Sequence, residues 1–353
     1  MKVLIIGSKG MLGQELARKF AQTTENLLVL RNSKSEGGHS LLSEANENSH
    51  SLLSEANENS HSLLSEANEN SHSLLSEANE NSHSLLSELD HDLILWGSAD
   101  LDITKEKDVE QKICSLAPDL IINAAAYNDV DQAETEFKTA NAVNTQGPIN
   151  IAKASQKVNA IFVHFSTDYV FDGTRKEGYT ESDTPNPISK YGESKLGGEK
   201  ARDYCEKCYI IRTSRLYGKP AISKSAKKSF VDTMLKLAQE RDSLDIVDEE
   251  LSCPTYAPDL AQFTRDLVES GSKFGIYHGV NQGSCTWFEF AKEIFAISGK
   301  DVTINPVKGD KFPRPAKRPQ FSVLLNTKRP QLRSWKEALK EYLNTKFETR
   351  NAN

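Results

Sequence analysis

Thr167, Tyr191 and Lys195 are the residues of this chain whose types and spacing suit them to chemistry. A hydroxyl, a phenol and an ammonium together can protonate a carbonyl oxygen while a cofactor delivers hydride. Tyr191 and Lys195 stand four apart in Tyr191-Gly192-Glu193-Ser194-Lys195, so on a helix they project from one face. From there the ammonium is expected to lower the pKa of the phenol, which would be the acid. Thr167 follows the apolar run 161–165 and stands 24 positions before Tyr191. A lone Tyr-x-x-x-Lys is often accidental, and a tyrosine on a helix more often just packs. The supporting signal is at the start of the chain, where an apolar run is followed by Gly7-Ser8-Lys9-Gly10-Met11-Leu12-Gly13. Gly7 suits a tight turn, Gly10 lets backbone N–H groups approach a pyrophosphate, and Gly13 lets the following helix pack close to its strand.

The elements that must position these groups follow from periodicity. Buried runs at 120–126, 161–167 and 209–213 alternate with helical stretches at 106–115, 144–157 and 191–204. This pattern predicts an α/β fold with a doubly wound parallel sheet. Ligands of such sheets lie beyond the carboxyl ends of the strands, where Gly7, Ala125 and Thr167 all fall. After residue 216 the character changes to helices at 229–241, 257–270 and 287–298 with short strands at 244–247 and 276–280. The expected organisation is a Rossmann domain over 1–215 with an insertion at about 35–88, a smaller substrate lobe over 216–345, and a tail at 346–353.

The chain resembles the dTDP-4-dehydrorhamnose reductases among the extended short-chain dehydrogenases. The resemblance is carried by Ile121-Ile122-Asn123-Ala124-Ala125-Ala126-Tyr127, Val130-Asp131-Gln132-Ala133-Glu134, Ser166-Thr167-Asp168-Tyr169-Val170-Phe171-Asp172-Gly173 and Asn186-Pro187 leading to Tyr191. It continues through Arg212-Thr213-Ser214, Pro254-Thr255-Tyr256-Ala257-Pro258-Asp259-Leu260-Ala261, Arg318-Pro319 and Asn326-Thr327-Lys328, and covers nearly everything except about 23–90. It implies reduction of the C4 ketone of a nucleotide-linked 6-deoxyhexulose, with catalysis by Thr167, Tyr191 and Lys195. It implies cofactor contacts from Gly7, Gly10, Met11, Leu12, Gly13, Asp102, Ile103, Ala125, Ala126, Tyr127, Tyr191 and Lys195. Substrate contacts are expected from Thr167, Asp168, Tyr191 and Arg215. Where known members place a tryptophan against the nucleotide sugar, this chain has Arg215, which can stack flat or pair with a diphosphate.

Competing chemistries on the fold read differently. Sugar dehydratases place Asp then Glu after the threonine, whereas Thr167 is followed by Asp168 and Tyr169; epimerases read Ser-Ser-x-x-Val-Tyr-Gly, which 166–171 does not match. The regulatory beta subunit of methionine adenosyltransferase also resembles the family, but a non-catalytic role would go with a damaged triad, and all three residues are present. Cofactor choice depends on the strand after the first helix, for which 27–30, ending at Arg31, and 92–96 compete. Neither is followed at once by a carboxylate for a free ribose 2′-hydroxyl, so NADPH is the expected cofactor and NADH the alternative.

The chain has 353 residues, 37% of them hydrophobic, enough for a sizeable core. No run approaches a membrane span, and five cysteines form no disulfide-like framework, so a cytoplasmic protein is expected. Cys205-Glu206-Lys207-Cys208 lacks a second ligand pair for zinc, and no metal site is expected. The basic run Lys308, Lys311, Arg314, Lys317 and Arg318 suits either a diphosphate or a solvated loop, and without aromatic interleaving it suggests no nucleic acid. The expected partners are a nucleotide sugar and a second copy in a homodimer. The unit His-Ser-Leu-Leu-Ser-Glu-Ala-Asn-Glu-Asn-Ser begins at His39 and recurs unchanged at His50, His61 and His72. Each copy holds two glutamates and no Lys or Arg, so the net charge of −7 belongs to the repeat. An 11-residue period would draw a drifting apolar stripe along a helix. Ser, Asn and His dominate the unit and favour coil, so a mobile, neutral surface insertion is expected.

Overall fold

Strand β1 (Lys2–Ile6) shows why this chain builds a sheet covered on both faces. Val3 and Ile5 enter one apolar core, and Leu4 and Ile6 enter another. Side chains alternate along a strand, so a continuous apolar run requires cover on each side. A computed structural model describes residues 1–23, 26–27, 92–222 and 228–351. The four repeat units, the remainder of the 27–30 strand candidate with Arg31, and the expected insertion at 35–88 lie outside those residues.

Helix α1 (Met11–Ala21) follows β1, and the short strands β2 (Gln22–Thr23) and β3 (Asn26–Leu27) pair antiparallel. Then come β4 (Asp92–Trp96), α2 (Glu106–Leu116), β5 (Leu120–Asn123), α3 (Phe137–Asn141) and α4 (Gly147–Lys157). They are followed by β6 (Ile161–Thr167), α5 (Lys190–Glu199), β7 (Cys208–Thr213) and β8 (Leu216–Tyr217). The remainder is α6 (Phe230–Glu240), β9 (Ser243–Val247), β10 (Thr255–Tyr256), α7 (Ala257–Glu269), β11 (Gly275–His278), α8 (Trp287–Ser298), β12 (Thr303–Val307) and α9 (Trp335–Asn351).

Six parallel strands form the main sheet in the order β11-β7-β6-β5-β1-β4. Of the two candidates for the strand beside β1, the sheet takes 92–96, with Lys2 opposite Asp92 and Ile6 opposite Trp96. The run at 120–126 is shorter than its apolar character suggests. Strand β5 ends at Asn123, whose side chain accepts from the Ala125 N–H at 3.1 Å and turns the backbone away from the ladder.

The division near residue 216 needs correction. Leu260, Ala261, Phe263, Leu267 and Val268 of α7 and Tyr277 of β11 share the core that holds Val3, Leu16 and Phe20, and β11 extends the main sheet beside β7. The chain therefore returns to the Rossmann layer over 257–278, because α7 carries an apolar stripe that α1 covers. Each leucine, valine or phenylalanine so withdrawn from water contributes roughly 1.5–3 kcal/mol. A separate core joins Tyr217, Leu235, Ile246, Phe290, Trp335 and Leu339 from β8, α6, β9, α8 and α9. The expected tail at 346–353 is also corrected, since α9 runs to Asn351 and Lys346 bonds Asp232 at 2.5 Å. The outer edge of β11 is blunted by side chains: Lys328 Nζ donates to Ile276 O at 2.9 Å, and Glu181 accepts from His278 N–H at 3.3 Å.

Candidate active site

The glycine turn between β1 and α1 has no room for side chains at two positions. Gly7 has φ +81°, and a Cβ there would lie 2.6 Å from Ala125 N; a Cβ on Gly13 would lie 2.2 Å from Gly7 O. The turn is fixed by Gly7 N–H to Trp96 O at 2.8 Å and Gly10 N–H to Gly7 O at 3.0 Å. Met11 and Leu12 begin α1, so the free N–H groups and positive dipole end of that helix stand over the carboxyl ends of β1 and β4. This is a cradle suited to the pyrophosphate of a dinucleotide.

Ala125, Ala126 and Tyr127 line the next loop and are half-buried. Asn144 fixes this loop: it accepts from Tyr127 N–H at 2.8 Å and donates to Tyr127 O at 2.9 Å and to Ser194 Oγ at 3.0 Å. Asn144 sits in a π-helical turn, Ala142–Gln146, where uninterrupted helix was expected. Pro148 has no N–H to bond the Asn144 carbonyl four residues back, which loosens the helix there. Gly198 approaches that same carbonyl so closely that a Cβ would lie 2.2 Å from it. Asn144 was not singled out from sequence, although the Asn-Thr-Gln-Gly-Pro stretch carries the helix-breaking signal. Asp102 accepts from Thr104 N–H at 3.0 Å and Thr104 Oγ1 at 2.7 Å, and Ile103 is buried against Gly147. Those two side chains are engaged with their own turn and core, which leaves backbone for any contact with a cofactor.

Thr167 and the pair Tyr191 and Lys195 come together at the carboxyl end of β6. Helix α5 starts where Ser189, with extended backbone, accepts from Gly192 N–H at 3.2 Å. Its first turn packs so tightly on the turn after β6 that a Cβ on Gly192 would lie 2.2 Å from Tyr169 O. The Tyr191 ring meets the Tyr169 ring edge-on, with centroids 5.8 Å apart. Lys195 is buried and donates from Nζ to Phe165 O at 2.6 Å, two residues before Thr167. Burial lowers its ammonium to about 8, while the carboxylate of Glu199 raises it.

The expected lowering of the Tyr191 phenol is not what the structure shows. Surrounding protein, and then the charge of Asp168, push it above its usual range, and only the Thr167 hydroxyl works the other way. Tyr191 as a whole is half-buried, so the desolvation is that of a crowded cleft wall rather than of a sealed interior.

Asp168 is turned inward. Its Oδ2 accepts from Ser214 at 3.0 Å, Ser252 at 3.2 Å and Ser322 at 2.6 Å, and its Oδ1 accepts from Thr167 at 3.0 Å. Burial raises this carboxyl and the hydroxyls oppose the rise. The side chain expected to face substrate thus ties four segments together and fixes the Thr167 hydroxyl. Arg215 adopts φ +41°, rare for a residue with a side chain. Its guanidinium lies 3.9 Å over the Trp287 ring and donates to Cys285 O at 2.7 Å and Glu250 O at 2.6 Å. Of the two options open to it, the stacked one is realised, on protein. Three members of the basic run are paired: Arg318 holds Asp131 bidentately at 2.9 and 2.7 Å, Arg314 pairs with Glu250, and Lys311 with Asp245 at 2.5 Å.

Lys9 escaped the sequence reading. A Cβ on Gly97, just beyond β4, would lie 3.5 Å from Lys9 Cδ, so this lysine extends across the end of the strand beside β1. Asp100 accepts from Gly97 N–H at 2.7 Å. The signal was present as a lysine inside the glycine turn, but its direction was not legible.

Comparison with known proteins gives a consistent picture. Residues 73–347 match the family model described as the RmlD substrate binding domain. Spore coat polysaccharide biosynthesis protein SpsK of Bacillus subtilis is 38% identical over 250 residues, covering 69% of this chain and 85% of that protein. The dTDP-4-dehydrorhamnose reductase of Escherichia coli K12 is 36% identical over 264 residues, covering 70% and 86%. Among solved structures, a dTDP-4-dehydrorhamnose reductase from Clostridium acetobutylicum superposes with a TM-score of 0.75 at 32% identity, covering 98% of this chain and 100% of that one. The Bacillus anthracis enzyme in complex with NADP gives 0.74 at 32% identity with the same coverage.

Proposed function

This chain belongs to the dTDP-4-dehydrorhamnose reductase family, and from that premise we propose that it reduces the C4 ketone of dTDP-4-dehydro-β-L-rhamnose to give dTDP-L-rhamnose, with NADPH as reductant. The observation that carries the reading is the convergence of Thr167, Tyr191 and Lys195 at the end of β6, on the carboxyl side of the sheet that also presents the glycine turn. The cradle around Gly7 and Gly13 fits a dinucleotide, whose nicotinamide supplies hydride when bound.

The chain's own groups do the rest. Tyr191 donates a proton to the oxyanion that develops at C4. A phenol held above its usual range stays protonated across neutral pH, which is the form a donor needs. Thr167, held by Asp168 in the free site, turns its single hydroxyl proton to the same oxygen when substrate is bound. Lys195 holds ribose hydroxyls and stabilises the phenolate left after transfer. Gly10, Met11 and Leu12 bind the pyrophosphate, and Ala125 to Tyr127 wall the cofactor under the control of Asn144. Lys9 meets the 2′-phosphate that distinguishes NADPH. Arg215 and its Trp287 platform border the sugar, and the segments at 216–256 and 279–345 form most of the substrate lobe. The protein acts in the cytoplasm, as a homodimer. No helix among the described residues is long and apolar enough to cross a membrane.

A panel of nucleotide-linked 4-keto sugars tests the reading by NADPH oxidation. The dTDP-linked 6-deoxy sugar is expected to be turned over best. Failure to oxidise NADPH with any member of the panel would overturn the assignment as a reductase.

A further inference from the structure

Beneath the site lies an ion pair that the mechanism has not used. Arg212 on β7 and Glu199 at the end of α5 are 1% and 7% exposed. Arg212 donates from Nε to Glu199 Oε1 at 2.8 Å and from Nη2 to Oε2 at 2.7 Å, and Ser166 Oγ donates to Oε1 at 2.7 Å. Glu199 stands four residues after Lys195, so the two side chains share one stripe of α5. Consecutive residues of β6 hold both: Phe165 accepts the Lys195 ammonium through its carbonyl, and Ser166 bonds the Glu199 carboxylate.

The charges do not balance without Glu199. Two buried cations, Lys195 and Arg212, stand with the Glu199 carboxylate, and among the described residues Arg212 Nη1 has no hydrogen-bond partner. The other titratable groups around the ammonium are Tyr191 on α5 and His164 on β6. Burial and the nearby Lys195 charge keep His164 neutral. Glu134, which touches α5 from the turn after β5, is spent on Lys190 N–H at 2.8 Å, at the start of the helix. Asp168 acts on Tyr191.

We propose that Glu199 is the counter-ion of Lys195, a positioning residue that Arg212 and Ser166 hold in place so that the ammonium beside Tyr191 stays charged in a buried setting. The bidentate clamp fixes where the negative charge sits, and the helix spacing brings that charge to the lysine. Burial alone would drive the ammonium towards its neutral form, and one fixed carboxylate opposes this. Both effects act on this ammonium: burial lowers it and Glu199 raises it.

The inference rests on the role given to Lys195 above, so its test reads the lysine directly. Nitrogen-15 NMR of the lysine-labelled full chain, with the Lys195 signal assigned through Lys195→Arg, follows the Nζ midpoint against pH. Glu199→Gln is expected to lower that midpoint by about one unit, a tenfold loss of proton affinity. Because breaking a buried pair endangers folding, Glu199→Gln/Arg212→Gln is measured beside it; it removes both partners of that pair together, leaves Lys195 without its carboxylate, and is also expected to lower the midpoint. Arg212→Gln alone should raise it, since Glu199 then serves Lys195 only. In the active variants the alkaline limb of kcat/KM should move with the midpoint. A folded Glu199→Gln or double variant whose midpoint stays where it is in the parent overturns the proposal. Midpoints that shift as expected in a protein that reduces no keto sugar would uphold the pairing and count against the proposed function instead.

Discussion

Replacing Tyr191 with phenylalanine removes one oxygen and leaves the neighbourhood in place. The ring keeps its edge-on contact with Tyr169, the first turn of α5 keeps its Ser189 cap, and Thr167 keeps its bond to Asp168. The phenol loses one hydroxyl partner, Thr167, for a stability change of about 1 kcal/mol. Fold and NADPH affinity should therefore be nearly those of the parent, measured by thermal unfolding and by fluorescence titration. Proton donation is lost, and a positioned general acid is worth roughly a hundred- to ten-thousandfold. At 1.36 kcal/mol per decade this is about 2.7–5.4 kcal/mol of transition-state stabilisation. The readout is kcat/KM for NADPH oxidation with the nucleotide 4-keto sugar. A folded Tyr191→Phe enzyme within about threefold of the parent, far short of the expected loss, would remove Tyr191 from the mechanism.

Other perturbations give separate signatures. Reduction should decline as pH rises through about 8, because the buried Lys195 ammonium loses its proton there, and Lys195→Ala should abolish that limb while weakening both turnover and NADPH binding; a parent profile flat to pH 10 would contradict this. Lys9→Ala should cost NADPH roughly tenfold in kcat/KM, in line with a lost charge-assisted hydrogen bond, and leave NADH nearly unchanged. An equal loss for both cofactors would exclude Lys9 from reading the 2′-phosphate. Excising residues 39–82, the four full repeat units, should leave kcat/KM within about threefold, since loop-closure entropy grows slowly with length. A loss above about tenfold in a folded variant would give the repeat a role in the enzyme.

The parts of this protein that could be read from sequence are those with local physical causes. A continuous buried run set the bounds of β6, and the spacing of Gly7 and Gly13 announced a turn where side chains would collide with backbone. What was missed depends on partners distant in sequence. Asp168 looked like a substrate ligand because it adjoins Thr167, yet its direction is decided by Ser214, Ser252 and Ser322, up to 154 residues away. Lys195 looked like a group that would lower the phenol, but in the free site its ammonium is turned to Phe165 O, and burial, then the charge of Asp168, hold the phenol up. The return of 257–278 to the Rossmann layer was hidden for the same reason: an amphipathic helix records that one face is buried, not which helix covers it. Arg215 could be flagged as a departure, but only Trp287 and the two carbonyls that receive it show how it is held.

Isotope transfer tests the central claim most directly. With NADPH deuterated at the transferable C4 position and dTDP-4-dehydro-β-L-rhamnose as substrate, the account predicts dTDP-L-rhamnose carrying one deuterium at sugar C4. Turnover should be strongly reduced, with the label still at C4, in Tyr191→Phe. Product without label at C4, or no reduced sugar at all from the intact chain, would contradict it.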